Sequence, residues 1–182
     1  MCIRDRVEGT STVVLVEGIS DQIAVETLAA RLDRDVAGAG VVVVPMNGAQ
    51  AIGKFVRRLG PHRPVIGLCD IGERGWFDRV VATADLRSFR YFVCDRDLEE
   101  ELVRSVGETA ITTLLEEQRD LPSFRTLQKQ QSWAGQPFEA QMHRWLRAGA
   151  TRNLRYAELL IESVEPRRAP TPLLDLIDAA YG

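Results

Sequence analysis

Acidic residues stand directly behind three of the four apolar runs in the first half of the sequence. Glu17 follows the first run, Asp70 follows the third, and the acidic stretch 95–101 follows the fourth, while Asp21 lies one helical turn beyond Glu17. If these runs are strands of a parallel sheet, their carboxyl ends meet at one edge and bring the acids together. Converging carboxylates repel each other and are most simply stabilised by a divalent cation, and oxygen ligands favour Mg²⁺ or Mn²⁺. The pattern therefore predicts metal-assisted chemistry.

Each of these acids also has a simpler structural interpretation. Asp21, in the first turn of a predicted helix, could do no more than complement the helix dipole. Glu17 is harder to explain in this way, because a glutamate at the end of an apolar run is poorly solvated without a partner. Most of the stretch 95–101 is expected to be a solvated helix start with one or two members facing inward, and Leu98 is expected in the core with Leu102.

Alternation of apolar runs with helical spacing indicates the elements that position these acids. The runs predict strands near 12–17, 41–45, 65–70 and 89–94. Each is followed by apolar residues at helical spacing, and Ser20 is a candidate cap for the first helix. Strands and helices that alternate with short loops predict an α/β fold with a mostly parallel four-stranded sheet and right-handed crossovers.

Beyond residue 107 the apolar spacing becomes wholly helical. Helices are predicted around 110–115, 138–146, 154–161 and 173–177, with breaks at Pro122, at 135–137 and at 166–172. The first residues fit no period. The predicted organisation is a disordered leader at 1–10, an α/β domain at 11–107 and a helical C-terminal subdomain at 108–182.

Composition limits the class of protein. The chain has 182 residues, which is long enough to bury a sizeable core. Its residues are 45% hydrophobic and 27% charged, and this composition is typical of a globular domain. No apolar run approaches the roughly 20 residues that span a bilayer, and the charged first residues predict no export and a cytoplasmic location. Cys2, Cys69 and Cys94 lie too far apart for a zinc motif, and the last two are expected to be buried thiols.

Charge is distributed unevenly along the chain. Residues 1–120 hold 15 basic and 20 acidic residues, a net charge of −5, whereas residues 121–182 hold 8 basic and 6 acidic, a net charge of +2. Ordinary solvated surface would account for this, but so would a metal site beside a surface that faces a polyanion. Arg152 and Arg155, three apart in a predicted helix, are the candidate phosphate contacts.

The segments VVLVEGISDQIAVETLA, VVVVPMNGAQAIGKF and PVIGLCDIGE together resemble the Toprim domain, most closely that of OLD (overcoming lysogenization defect) nucleases. The resemblance covers roughly residues 12–106 and implies a Rossmann-like sheet that holds Mg²⁺ for phosphodiester chemistry. Glu17 matches the family's glutamate after the first strand and Asp70 the first aspartate of its DxD motif. Asp21 and Glu99 match two further acids of the OLD group.

The sequence departs from the family pattern at three points. Gly72 replaces the second aspartate of DxD, although Glu73 is one residue away on a longer side chain. Where OLD proteins carry a late lysine, this chain offers Arg152 and Arg155. No GxxxxGK[ST] motif occurs, so the resemblance is to a Toprim without the ATPase domain, and a separately encoded ATPase and a second copy of the chain are the protein partners it suggests.

The leading hypothesis is a Mg²⁺-dependent (or Mn²⁺-dependent) nuclease acting on DNA. Its catalytic residues would be Glu17, Asp70, Arg152 and Arg155, and its metal ligands Glu17, Asp21, Asp70, Glu73 and Glu99. The alternative is a catalytically degraded Toprim module with a regulatory or nucleic-acid-binding role in phage defence or DNA repair. A receiver-like domain with Asp70 as phosphoacceptor is a third interpretation, but it leaves the EGISD segment unexplained.

Overall fold

The computed structural model describes residues 12–34, 38–83 and 89–181, so the predicted leader at 1–10 and Cys2 lie outside the described residues. Within these ranges four strands occur where the apolar runs predict them. They are β1 (Thr12–Val16), β2 (Val41–Pro45), β3 (Val65–Asp70) and β4 (Phe89–Cys94).

The four strands form one parallel sheet in the order β2-β1-β3-β4. The register pairs Val14 with both Val43 and Ile66, and it sets Asp70 beside Cys94. Because all strands run the same way, their carboxyl ends lie at one edge. The predicted fold class, a parallel four-stranded sheet flanked by helices and followed by a helical segment, is confirmed.

Nine α-helices are present in the part of the chain that the structure describes. Those that follow the four strands are α1 (Ile19–Arg31), α2 (Ile52–Leu59), α3 (Arg74–Thr83) and α4 (Leu98–Val106). The helical segment consists of α5 (Glu108–Glu117), α6 (Leu121–Gln128), α7 (Phe138–Arg147), α8 (Ala150–Ser163) and α9 (Thr171–Tyr181). Short 3₁₀ turns at Ala49–Ala51 and Ile71–Glu73 lead into α2 and α3.

Two helix starts differ from the predictions. Helix α1 is capped by Gly18, with Ser20 inside its first turn, because the Asp21 carboxylate accepts a hydrogen bond from the Gly18 amide. Pro122, which predicts a break, lies in the first turn of α6. Proline is tolerated there because that amide has no intrahelical acceptor to lose.

Alternate strand residues point into two hydrophobic clusters on opposite faces of the sheet. Val13 and Leu15 pack with α2 and α3, whereas Val14 and Val16 pack with α1, α4 and the helical segment. The second cluster runs without interruption from the strands to Ile177 on α9. Residue 107 therefore marks a change of secondary structure within a continuous core.

Arg31, the last residue of α1, forms hydrogen bonds with the C-terminal end of α8. Its guanidinium donates hydrogen bonds to the backbone carbonyls of Ile161 and of Val164, the latter at 2.5 Å. These contacts satisfy carbonyls that the helix terminus leaves without intrahelical donors. Among the described residues, no helix combines the length and the apolar character needed to cross a membrane.

Candidate metal centre

A cleft of about 420 Å³ opens at the carboxyl ends of β1 and β3. It is bounded by the loops after these strands, by the starts of α1 and α4, and by the junction between α7 and α8. Acids and polar side chains dominate its lining, which includes Glu17, Asp21, Asn47, Asp70, Glu99, Arg147 and Asn153. Four of the five predicted metal ligands thus share one cavity.

Glu17 stands at the point where β1 ends. Its backbone carbonyl accepts a hydrogen bond from the Gly48 amide at 3.1 Å, which joins the loops after β1 and β2. Burial raises the pKa of the Glu17 carboxyl, and repulsion from Glu73 and Glu99 raises it further. Its Oε2 atom is buried without a hydrogen-bond partner. An acceptor of this kind is costly unless a cation or donor satisfies it.

Asp21 faces the same cleft from the first turn of α1. One carboxylate oxygen accepts the Gly18 amide at 2.7 Å, which alone would lower its pKa. Burial outweighs that hydrogen bond and, with repulsion from Glu99, raises the pKa of Asp21 to about 7. The hydrogen bond to Gly18 agrees with the structural interpretation of Asp21, and its place in the lining of the cleft keeps it a candidate metal ligand.

Asp70 is the last residue of β3 and carries the largest shift among the acids of the cleft. Burial raises the pKa of Asp70 to about 8, and repulsion from Asp21 and Glu17 contributes in the same direction. Glu17 and Asp70 line the same cavity, as the sequence predicts for the carboxyl ends of β1 and β3, and the charge of Glu17 contributes to the raised pKa of Asp70.

Glu99 enters the cleft from the first turn of α4, where it contacts the helical segment. The Asn153 side-chain amide of α8 donates a hydrogen bond to Glu99 Oε1 at 2.9 Å. The other polar atom of Asn153, Oδ1, is buried without a partner. The cleft therefore holds two unsatisfied oxygens, one on Glu17 and one on Asn153, and both are suited to a hard cation or to a donor on a ligand.

Glu73 lies beside the cleft rather than in its lining. It ends the 3₁₀ turn after Asp70 and is half-buried, and it is the strongest charged neighbour acting on Glu17. Gly72, which stands in place of the second family aspartate, has open space where a side chain would begin: an added Cβ would meet no atom within 4 Å.

Arg147, at the end of α7, is the cation that lines the cleft. It lies 3.8 Å from the Asp97 carboxylate and remains 63% exposed. Asp97 is buried, caps α4 through the Glu100 amide at 2.9 Å, and lies 2.6 Å from His143 Nε2. Burial alone would raise the pKa of Asp97, but the hydrogen bonds from His143 and Glu100 hold it below its usual value.

Arg152 and Arg155, the predicted phosphate contacts, are not among the residues that line the cleft. Arg152 donates to the Trp145 carbonyl at 2.6 Å and stacks over the Trp145 ring at 4.0 Å. Arg155 pairs with Asp120 and lies over Tyr156 at 5.1 Å. Their spacing places the two arginines on one face of α8, as predicted. That face contacts α7 and Asp120, and the cation in the lining of the cleft is Arg147.

The donor set fits a hard divalent cation. It offers carboxylate and amide oxygens and the Ser20 hydroxyl, two of these oxygens lack a hydrogen-bond partner, and burial raises the pKa of Asp21 and Asp70. Among the described residues, no three Asp, Glu, His or Cys side chains are already grouped closely enough to hold one ion. Binding therefore requires side-chain rotation within the cleft.

Comparisons with known proteins agree with this architecture. Residues 10–70 match the family described as overcoming lysogenization defect protein-like, TOPRIM domain. A search of curated proteins found no match.

Among solved structures, the chain is similar to the C-terminal region of the Burkholderia pseudomallei OLD protein, with a TM-score of 0.71 and 17% identity over 94% of this chain and 96% of that one. It is also similar to the C-terminal region of the Xanthomonas campestris pv. campestris OLD protein phased with platinum, with a TM-score of 0.69 and 22% identity over 94% and 92% of the two chains. The predicted resemblance to an OLD-type Toprim is confirmed, and the fold is that of these C-terminal regions.

Proposed function

We propose that this protein hydrolyses phosphodiester bonds in DNA with Mg²⁺ or Mn²⁺ held by the acids of the cleft. The observation that carries the proposal is the convergence of Glu17, Asp21 and Asp70 in one cavity, where burial and repulsion from nearby acids raise the pKa of each carboxyl. A site that keeps acids in such an unfavourable arrangement gains most from a bound cation. The OLD-like Toprim match at residues 10–70 supports the same chemistry.

The ligands we assign are Glu17, Asp21, Asp70 and Glu99. Glu73, which lies beside Glu17 outside the lining of the cleft, is a further candidate ligand. Glu17 has a buried oxygen without a hydrogen-bond partner, and the Asn153 amide holds Glu99 in the cleft through Oε1. A divalent cation at such a site supplies Lewis-acid activation of water and charge neutralisation at the leaving oxygen.

Arg147 would bind the phosphate, and Asp97 would position it. The guanidinium is exposed to the cleft and always protonated, so it can donate to phosphate oxygens and offset their charge. Asp97 is fixed by the α4 cap and by His143, so the arginine is directed into the cleft by a rigid partner. Arginine stabilises the negative charge on the phosphate through hydrogen bonds but stays protonated, so it does not act as a general acid.

Cleavage of supercoiled plasmid DNA in Mg²⁺ or Mn²⁺ tests the proposal. Wild-type protein is expected to nick or linearise the plasmid, and Glu17→Gln is expected to lose at least about a hundredfold of the rate, the scale of removing a major electrostatic contributor. Glu116→Gln, an exposed change on α5, is the matched control and should cleave normally. Equal cleavage by wild type and Glu17→Gln would refute the assignment.

The second candidate function is a non-catalytic Toprim module that binds nucleic acid or regulates a defence or repair system. Gly72 in place of an aspartate, together with acids not yet grouped around one point, favours it. Gly72→Asp separates the two candidates, because the site has room for the new side chain. Cleavage that appears only in Gly72→Asp would identify the natural site as degraded.

A further inference from the structure

The helices on the face of the sheet opposite the helical segment carry exposed basic residues, which we call the basic face. Its members are Lys54, Arg57, Arg58 and Arg79. Within the described residues none of the four forms an ion pair. The sequence between Asp35 and Asp70 contains no acidic residue, so the charge on α2 is not balanced locally.

Contacts between α2 and α3 bring these cations together. Lys54, Arg57 and Arg58 are spaced i, i+3 and i+4 and so share one face of α2. A Cβ added to Gly53 would lie 3.4 Å from the Arg57 guanidinium and 3.8 Å from Val80 of α3, which places Arg57 in the groove between the helices. The groove is thus lined by positive charge from α2.

An exposed tryptophan adjoins the basic face. Trp76, in the first turn of α3, is 41% exposed, and the Arg79 guanidinium lies 4.6 Å from its ring centroid. An exposed aromatic ring beside an arginine is the combination on which unpaired bases stack in single-strand-binding proteins.

The basic face begins at the rim of the acidic cleft. Helix α2 follows the loop that contains Asn47, which lines the cleft, and α3 follows Asp70 through the turn Ile71–Glu73. Ile71 on that turn is 50% exposed. A chain of phosphates leaving the cleft on this side would meet Trp76 and then the cations of α2.

We propose that the basic face binds a single strand of DNA through its phosphates, with an unpaired base stacked on Trp76. The acids of the cleft repel a polyanion, so cations on the adjoining surface are needed to bring it in. This inference rests on the proposed function in that the strand held here is the strand delivered to the cleft. It places the DNA on α2 and α3, whereas the net charge of the sequence had pointed to the helical segment.

Binding is measured by fluorescence anisotropy of a labelled oligothymidine in EDTA, where cleavage cannot contribute. The triple change Lys54→Gln, Arg57→Gln, Arg58→Gln should weaken binding about tenfold or more and reduce the salt slope by up to about 2. The matched control removes three exposed charges from the helical segment, Arg125→Gln, Arg167→Gln, Arg168→Gln, and should bind almost as wild type. Equal weakening by both triple variants would overturn the proposal.

Stacking is tested separately through tryptophan fluorescence. Trp145 is buried and Trp133 half-buried, so quenching by oligothymidine should come mainly from Trp76. Trp76→Phe should keep affinity but lose the quenching, and Trp76→Ala should bind about tenfold more weakly. Quenching that persists in Trp76→Phe, or self-association through this face without oligonucleotide binding, would refute the proposal.

The outcomes also separate this inference from the proposed function. Binding that depends on the basic face while plasmid remains uncut in Mg²⁺ and Mn²⁺ would retain the binding surface and reject the nuclease. Cleavage that depends on Glu17 but is indifferent to the triple change on α2 and to Trp76→Ala would retain the nuclease and reject the binding surface.

Discussion

Asp21 and Asp70 make the cleft sensitive to pH. Their pKa values rise from ordinary aspartate values to about 7 and about 8, chiefly through burial and then through repulsion from neighbouring acids. The folded protein therefore holds protons that the unfolded chain releases at lower pH. Because of this linkage, the two carboxyls stabilise the folded state at low pH, and their contribution to the free energy of unfolding is lost as the pH rises from about 4 to 8.

Metal-free protein in EDTA should accordingly be less stable at pH 8 than at pH 5, by roughly 2 kcal/mol or more in free energy of unfolding. Urea titrations at the two pH values measure the difference. Asp70→Asn should reduce the dependence, because one of the two titrating groups is gone.

Mg²⁺ in the millimolar range should restore stability at pH 8, since it binds only the folded state and replaces the protons. Melting temperature with and without the ion measures the effect. A rise of the same size in wild type and Asp70→Asn would indicate nonspecific screening and count against the metal centre.

Arg147 and Arg152 provide a second comparison of single residues. Arg147→Gln should lower plasmid cleavage about tenfold to a hundredfold while leaving the melting temperature nearly unchanged, because the guanidinium is exposed and its partner Asp97 keeps His143. Arg152→Gln should instead lower the melting temperature. It loses a hydrogen bond and a ring contact to Trp145, at a cost of about 1–2 kcal/mol in stability, with little effect on cleavage.

The two assays together decide the assignment. If Arg152→Gln cleaves poorly but keeps its melting temperature, Arg152 of α8 contacts the phosphate, as the sequence predicts. Loss of activity only in Arg147→Gln supports the cleft arrangement.

Residue spacing revealed the acids but not the groups that position them. Glu17 and Asp70 were evident because each directly follows an apolar run. Asp97 was hidden among the solvated acids after β4, although its place before Leu98 is that of a helix cap, which was a usable signal. Arg147 gave no such signal, because its partner Asp97 lies far away in the sequence.

At the scale of elements, the contact of β3 with α3 depends on Gly67. A Cβ there would lie 2.6 Å from Phe77 Cε1 and 3.3 Å from Tyr91 Cβ. Phe77 is fully buried, with its ring 5.4 Å from that of Tyr91 and 6.3 Å from that of Phe89. The glycine therefore allows an aromatic layer to sit directly on the strand that ends in Asp70.

Gly67→Ala should destabilise the protein by about 2 kcal/mol, because Phe77 cannot move away from well-packed neighbours without strain. Thermal unfolding measures the loss. Gly75→Ala is the control, since a Cβ at that exposed position in α3 meets no atom within 4 Å, and it should be neutral or slightly stabilising. An unchanged melting temperature in Gly67→Ala would mean that the aromatic layer adjusts.

Elements with a strong local pattern were predictable and those defined by tertiary contact were not. The continuous apolar runs predicted all four strands, because strands covered on both faces have no polar side. Helix α6 was missed because Pro122 was interpreted as a break, whereas Phe124 and Leu127 are buried and hold the helix against the core. Gly18 as the cap of α1 depends on Asp21 folding back to it.

At the scale of the whole molecule, the helical segment completes the core of the sheet domain. Helix α1 is covered by α8, with Leu28 and Ala29 fully buried in the cluster that also contains Leu160 and Ile161. One hydrophobic cluster includes residues on both sides of position 107, and the division into a domain at 11–107 and a helical subdomain at 108–182 stays a prediction.

A fragment truncated after residue 107 should therefore fail to form a unique fold. We expect it to lose near-UV circular dichroism and to bind the dye ANS, because the apolar surface of α1 would be exposed to water. The full chain under the same conditions is the control. A truncated fragment with a cooperative melting transition would establish residues 12–107 as an independent domain.

The cleft draws its groups from both ends of the described chain, and this has a consequence for biosynthesis. Glu17 and Asp70 are made early, whereas Arg147 and Asn153 come from α7 and α8. At about 5–20 residues per second of translation, Glu17 and Asp70 emerge from the ribosome roughly 4 s or more before the residues that face them. A nascent chain beside nucleic acid thus has an incomplete cleft until α8 is synthesised and docks on α1.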